Sequence, residues 1–248
     1  MSDQPAEVGG CGILGGTFNP PHLGHLALAR HAREELGLER VLLMPAHSAP
    51  HKGEGEDPGP ERRLEMCRLA VKGETGLEAC GLEIERGGPS YTVDTLRSLH
   101  ESHPEVKLTF IVGADMARTL PEWREPEALL GLARLAVAER EDAGREDVLR
   151  ALAPLRTAVG GDGAPDRQSA GVAFLEMGPV AVSSSLVRER VAAGGPVEDL
   201  VGPAVAEYIA EHGLYRATVA AEAGAQAGTR AGASTLAQAE AQARAGAQ

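Results

Sequence analysis

Aromatic side chains are scarce in this chain: one Trp, three Tyr and three Phe make up 3% of 248 residues, although 43% are apolar. A core built from such a sequence must be aliphatic. Cations are also in deficit, with 24 Lys and Arg against 36 Asp and Glu and a formal net charge of -12. Broad contact with a nucleic-acid backbone needs basic patches that displace counterions, so it is not expected here, and any anionic ligand must meet a local positive site. Cys11, Cys67 and Cys80 are odd in number and nowhere in a C-x-x-C spacing. That indicates neither a disulfide framework nor a zinc ribbon and fits a reducing cytoplasm. No stretch approaches the ~18 apolar residues of a membrane span, and the polar, acidic run Met1–Gly10 lacks the apolar centre of a signal peptide. A cytoplasmic protein with no membrane and no nucleic-acid partner is expected.

What is present is an alternation of short apolar runs with longer amphipathic stretches. Cys11–Leu14, Arg40–Met44, Leu108–Val112 and Leu135–Ala138 read as buried strands, and Leu23–Leu36, Pro60–Val71 and Tyr91–His100 as helices between them. This predicts an α/β fold, a doubly wound and mostly parallel sheet in which ligands sit beyond the carboxyl ends of the strands. Gly53–Pro60 and Gly160–Gly171 read as mobile loops. After Arg216 only Leu236 and Val219 remain as larger apolar residues in an Ala/Gly/Gln tract, which reads as disordered. The chain thus divides into an N-terminal extension 1–10, a single domain 11–216 and a tail 217–248.

Gly15-Gly16-Thr17-Phe18-Asn19-Pro20-Pro21-His22-Leu23-Gly24-His25 follows the first predicted strand and opens the first predicted helix. Paired glycines let a backbone approach an anion closely, and the N–H groups at a helix start donate to it. His22 and His25, three apart, read as one helical face of hydrogen-bond donors. Zinc competes for these histidines because His47 and His51 follow, but no acidic or thiol partner completes a ligand set. A second string, Ser183-Ser184-Ser185-Leu186-Val187-Arg188, leads from an extended stretch ending at Val182 into a helical run Leu186–Ala193. Its serines suit helix capping without a reciprocal capping box, and Arg188 opposes the helix dipole unless an anion sits there.

The undecapeptide GGTFNPPHLGH resembles the signature of the H-x-G-H nucleotidyltransferase superfamily, and more closely its nicotinate mononucleotide adenylyltransferase branch. The resemblance spans about Cys11 to Arg216 and thins over Glu139–Gly171. It implies a Rossmann-like nucleotidyltransferase fold with a short C-terminal helical part. The implied reaction transfers AMP from ATP to nicotinate mononucleotide, yielding nicotinate adenine dinucleotide and pyrophosphate in NAD biosynthesis. By the same resemblance His22 and His25 contact the ATP phosphates, Gly15, Gly16, Thr17 and Phe18 line the nucleotide cleft, and Ser183, Ser184, Ser185 and Arg188 hold the outer phosphates. Lys52, in a P-x-x-x-x-P-H-K segment, serves phosphates as a point charge. Gly113 and Asp115 flank the adenosine, Tyr91 and Thr92 border the pyridine nucleotide, and Trp123 stacks on its ring, a good match for an indole face. Arg124 stands where the branch commonly has tyrosine and is counted with the acceptor side.

Such a transfer needs no enzyme nucleophile, so His22, His25, Lys52 and Arg188 suffice for positioning and charge neutralisation. Mg²⁺ enters bound through ATP, and no protein metal ligand is expected. A homo-oligomer is compatible with all of this. Two other readings remain open: a sister enzyme acting on another phosphorylated acceptor such as phosphopantetheine, and a non-catalytic nucleotide sensor or tail-tethered interaction protein. Deleting Ala217–Gln248 should leave the melting temperature and turnover nearly unchanged, because the tract can bury little apolar surface; a large fall in melting temperature would contradict the tail assignment.

Overall fold

Runs that are apolar at every position form strands when both faces of the sheet are covered, and that is their arrangement here. The computed structural model describes residues 9–48, 57–140, 144–159, 171–178 and 181–216. In chain order it contains β1 (Gly10–Gly16), α1 (Leu23–Glu35), β2 (Leu38–Pro45), α2 (Pro60–Val71), β3 (Leu77–Ala79), α3 (Leu82–Arg86), α4 (Thr92–Ser102) and β4 (Leu108–Gly113). There follow α5 (Ala114–Thr119), a single 3-10 turn (Leu120–Glu122), α6 (Pro126–Leu132), β5 (Ala133–Arg140), α7 (Arg145–Val159), β6 (Val172–Met177), α8 (Ser184–Ala192), α9 (Glu198–Val201) and α10 (Pro203–Glu211).

The strands form one six-stranded sheet in the order β3-β2-β1-β4-β5-β6. Every strand pair is parallel, so the expected mostly parallel sheet is parallel throughout. Alternate residues of each strand enter different cores. Ile13, Met44, Phe110 and Leu135 pack with Leu96, Leu120, Leu129 and Leu152, from the helical segments between β3 and β6. Leu14, Leu43, Ile111 and Ala136 pack on the opposite face with Leu26 and Ala29 of α1 and Cys67 and Val71 of α2. A third cluster joins Met66 of α2 to Val187, Leu200, Val205, Ile209 and Leu214, and so docks the C-terminal helices α8–α10 on the body.

Four of the six strands among the described residues lie on the expected apolar runs. The other two are β3, which is three residues long, and β6, which begins at the edge of a Gly-rich segment, and neither was expected. The extended stretch ending at Val182 is not a strand; the strand on that side closes at Met177, and residues 181–183 are irregular. No helix among the described residues is long and apolar enough to cross a membrane. Lys52, His51, residues 1–8, most of both Gly-rich loops and Ala217–Gln248 lie outside the described residues.

Candidate active site

Strand order runs outward from the centre in two directions, β1 to β2 to β3 one way and β4 to β5 to β6 the other. The loops after β1 and β4 therefore diverge, and a crevice opens between their carboxyl ends. The glycine turn leaves β1 at Gly16, and Gly113, the last residue of β4, is the N-cap of α5. Both sequence-assigned nucleotide segments thus meet at the reversal point. Asp115, in the first turn of α5, has 85% of its side chain exposed and pairs with Arg118.

The turn itself is held through its carbonyls. Gly16 O accepts from the Ala46 N–H at 2.9 Å, and Thr17 O accepts from Arg63 Nη1 at 2.7 Å. In a trans peptide the carbonyl and the following N–H point to opposite sides, so the Thr17 and Phe18 N–H groups are aimed away from these supports. Phe18 has φ +51° and is 2% exposed. Its ring fills the space a side chain at position 16 would need, since a Cβ there would lie 3.1 Å from the ring. The resemblance placed Phe18 in the nucleotide cleft, but a side chain this buried can contribute there only through its main chain.

The two histidines are not on one helical face. His22 is the extended N-cap of α1 and His25 is its third residue. The His22 N–H donates to His25 Nδ1 at 3.2 Å in a reciprocal capping box, and the rings stack 3.7 Å apart at 25°. Phe18 meets the His25 ring edge-on at 4.8 Å. Because Nδ1 accepts, the neutral His25 ring carries its proton on Nε2. No acidic residue occupies the first turn of α1 or of α8, so both helix starts favour an anion.

The second motif grips the first. Ser183 caps α8 by accepting the Leu186 N–H at 3.1 Å, Ser184 Oγ donates to Pro20 O at 2.9 Å, and Arg188 donates to Asn19 O at 2.7 Å and to Ser185 Oγ at 3.2 Å. A serine has one proton to give. That of Ser184 goes to Pro20, so its hydroxyl holds the turn, while its N–H, at the first position of α8, is among the donors of that helix start. Ser183 and Ser185 act as acceptors in these bonds and keep their protons.

On the acceptor side, Tyr91 is the N-cap of α4 and Thr92 its first residue. The Arg124 guanidinium lies 4.8 Å over the Tyr91 ring and also meets Asp94 at 3.4 Å and Glu125 at 3.6 Å. Trp123 Nε1 donates to Thr119 Oγ1 at 3.0 Å, and its ring meets Phe110 edge-on at 6.0 Å, which anchors the indole and leaves it half-buried. The segment is tied to the loop after β2: the His47 N–H donates to Ser90 Oγ and the Ser90 N–H to Ser48 O, both at 2.9 Å.

Two residues of the site were not singled out from sequence. Arg63 of α2 is 1% exposed and reaches Thr17 O, Ala46 O, His47 O and Asp57. The available signal was a charge at the start of an apolar stripe, since Cys67 and Val71 follow at four-residue steps and are buried. Tyr215 donates to Asn19 Oδ1 at 2.7 Å across 196 residues of chain, and nothing local marks it.

A family model described as cytidylyltransferase-like matches residues 13–190. A probable nicotinate-nucleotide adenylyltransferase of Synechococcus sp. (strain JA-3-3Ab) is 40% identical over 87% of this chain and 99% of its own. One of Roseiflexus sp. (strain RS-1) is 43% identical over 83% and 97%. Among solved structures, the Plasmodium falciparum nicotinic acid mononucleotide adenylyltransferase complexed with NaAD superposes with a TM-score of 0.64 at 17% identity, covering 84% of this chain and 97% of that one.

The buried link from Tyr215 to the turn can be tested directly. Burial first, and the Asp57 carboxylate second, push the Tyr215 phenol above its ordinary value. The native state therefore keeps a proton that the unfolded chain releases above about pH 10. The phenol's contribution to stability is complete below the unfolded pKa and is lost as pH rises beyond it. Tyr215→Phe should cost about 0.5–1.5 kcal/mol at pH 7 in urea denaturation, and its deficit against wild type should shrink above about pH 10. A deficit that stays constant from pH 7 to pH 11 would contradict the placement of this hydroxyl.

Proposed function

The chain belongs to the cytidylyltransferase-like family, among its nicotinate-nucleotide adenylyltransferases, and on that premise we propose how its site carries out adenylyl transfer. The adenylyl group of Mg-ATP passes to the phosphate of nicotinate mononucleotide, giving nicotinate adenine dinucleotide and pyrophosphate. The observation that carries this reading is the joining of two anion-favouring helix starts, those of α1 and α8, by the bonds from Arg188 to Asn19 and from Ser184 to Pro20, beside the crevice where strand order reverses.

An oxygen of the acceptor phosphate attacks the α-phosphorus in line, and the bond to the leaving pyrophosphate breaks. His25 Nε2–H is assigned to an α-phosphate oxygen on which charge grows, with His22, Gly15, Gly16 and the Thr17 and Phe18 N–H groups around the same phosphates. Arg188 engages two partners through Nη1 and Nη2 and has donors left for the outer phosphates, beside Ser183 and Ser185. Lys52 is assigned to phosphate on the resemblance alone. Gly113 and Asp115 border the adenosine. Magnesium arrives on the nucleotide. The imidazole, N–H and guanidinium donors of the turn suit phosphate oxygens, not a cation, and magnesium keeps oxygen and water ligands. The reaction is placed in the cytoplasm, where ATP is made available.

For the acceptor, Trp123 offers its face to the pyridine ring, and the start of α4 at Tyr91 and Thr92 offers N–H donors to the ring's carboxylate. Arg124, held over Tyr91, adds positive charge on that side. An amide in place of the carboxylate would face these donors with an NH₂ group.

Purified protein given Mg-ATP and a panel of phosphorylated acceptors should release pyrophosphate fastest with nicotinate mononucleotide, at roughly 5- to 150-fold higher efficiency than with nicotinamide mononucleotide. Equal use of both would overturn the acid preference alone; activity only with another acceptor would overturn the substrate. His25→Ala should lower kcat by ~10²–10³ with a smaller change in the acceptor KM. Near-full turnover of that variant would remove His25 from the reacting phosphate.

A further inference from the structure

We propose that Arg63 is a positioning residue for the transfer: its buried guanidinium sets the phosphate-binding turn in register with the loop that carries the acceptor side. The inference rests on the reading above, that the turn holds ATP and that the Tyr91–Trp123 side holds the acceptor.

One guanidinium binds both loops. Nη1 donates to Thr17 O, in the turn after β1, and to Ala46 O, in the loop after β2, each at 2.7 Å. Nη2 donates to His47 O at 3.1 Å. Nε donates to Asp57 Oδ1 at 2.9 Å, which supplies the counter-charge. Four of the five donors of a rigid planar fork are thus used, and they fix distances and angles between three carbonyls at once. The chain of contacts continues outward. From His47 and Ser48 the loop is bonded to Ser90, immediately before Tyr91, and from Thr17 the turn leads through Phe18 to the His25 ring.

Packing does not require this ion. The residues that share its side of α2, Cys67 and Val71, are buried and uncharged, and a buried ion pair is commonly no more stabilising than an apolar residue of similar volume. What an apolar side chain cannot do is hold Thr17 and Ala46 at a fixed separation. In-line transfer between two bound substrates is sensitive to displacements of about 1 Å, which cost roughly 100-fold in rate. A residue that sets relative position without touching either substrate should therefore act on kcat and leave each KM nearly alone.

The test compares wild type, Arg63→Lys, the volume-matched double variant Arg63→Met with Asp57→Asn, and Asp57→Asn alone. Lysine keeps the charge but not the fork, and the double variant removes the ion pair without leaving a charge unpaired. Folding is followed by circular dichroism and melting temperature. The expected result for folded Arg63→Lys and for the double variant is a kcat lowered roughly 10- to 100-fold, with KM for Mg-ATP and for the acceptor changed less than about threefold. Asp57 is 42% exposed and the guanidinium keeps its three carbonyl acceptors without it, so Asp57→Asn is the mildest change of the set, with the melting temperature reporting the cost of the lost counter-charge. It leaves the guanidinium less constrained and should lower kcat about threefold to tenfold at unchanged KM. A variant that melts lower but keeps wild-type kcat, or one whose loss lies wholly in KM, overturns the proposal. A wild type active only on a different acceptor fails the substrate reading while the same comparison is made with that acceptor; a wild type silent with all acceptors overturns both.

Discussion

Between β1 and β4 the order of strands reverses, and the rest of the site depends on that reversal. In a parallel sheet each connection after a strand crosses one face, and the two halves of this sheet send their connections to opposite faces. The loops that follow β1 and β4 consequently separate at the carboxyl edge, the place where a parallel sheet with this strand order opens a crevice. Helix starts gather at the same edge because every helix of a β-loop-α unit begins where its strand ends. The α1 start reaches this edge through β1, and the α8 start reaches it by docking on the turn after β1 through Ser184 and Arg188.

This arrangement explains how a chain with a formal charge of -12 can bind a polyphosphate. The positive potential is local: two helix starts without acidic residues in their first turns and the Arg188 guanidinium, with the His25 Nε2–H as a further hydrogen-bond donor. The turn to which the phosphates are assigned draws much of its support from other parts of the chain. Arg63, Arg188, Ser184 and Tyr215 hold its carbonyls and the Asn19 side chain from other parts of the chain. An anion site built from backbone N–H groups gains from such support, because donors fixed before the ligand arrives need no reorganisation during the reaction. The left-handed φ of Phe18 and Tyr215 sits within this same cluster of bonds, where the surrounding contacts hold a backbone conformation that these residues seldom adopt alone.

Much of this was legible in the sequence, and the failures have physical causes. Cys11–Leu14 and Leu108–Val112 are apolar at nearly every position because both faces of the sheet are covered, so their strands were readable; β3 has only Leu77–Ala79 and gives periodicity nothing to work on. The helix start at Leu23 is the one expected, but three-residue spacing alone put His22 on a helical face with His25, whereas its φ of -145° makes it the cap before that start. Ser184 was assigned to phosphate through the resemblance; the bond of its hydroxyl to Pro20, 164 residues away, is a tertiary contact that the local string does not encode. Arg63 carried a local signal, a charge leading an apolar stripe, whereas Tyr215 carried none, since its role is created wholly by tertiary contact with Asn19.

Positioning and charge, the means proposed for this site, imply a single direct transfer without a covalent adenylyl-enzyme. The configuration at phosphorus reports on this with no need for a variant. ATP made chiral at the α-phosphorus by sulfur substitution should yield, with nicotinate mononucleotide, a dinucleotide of inverted configuration, because one in-line displacement inverts the centre once. Net retention would require two displacements, and hence an enzyme nucleophile, and would contradict a direct transfer.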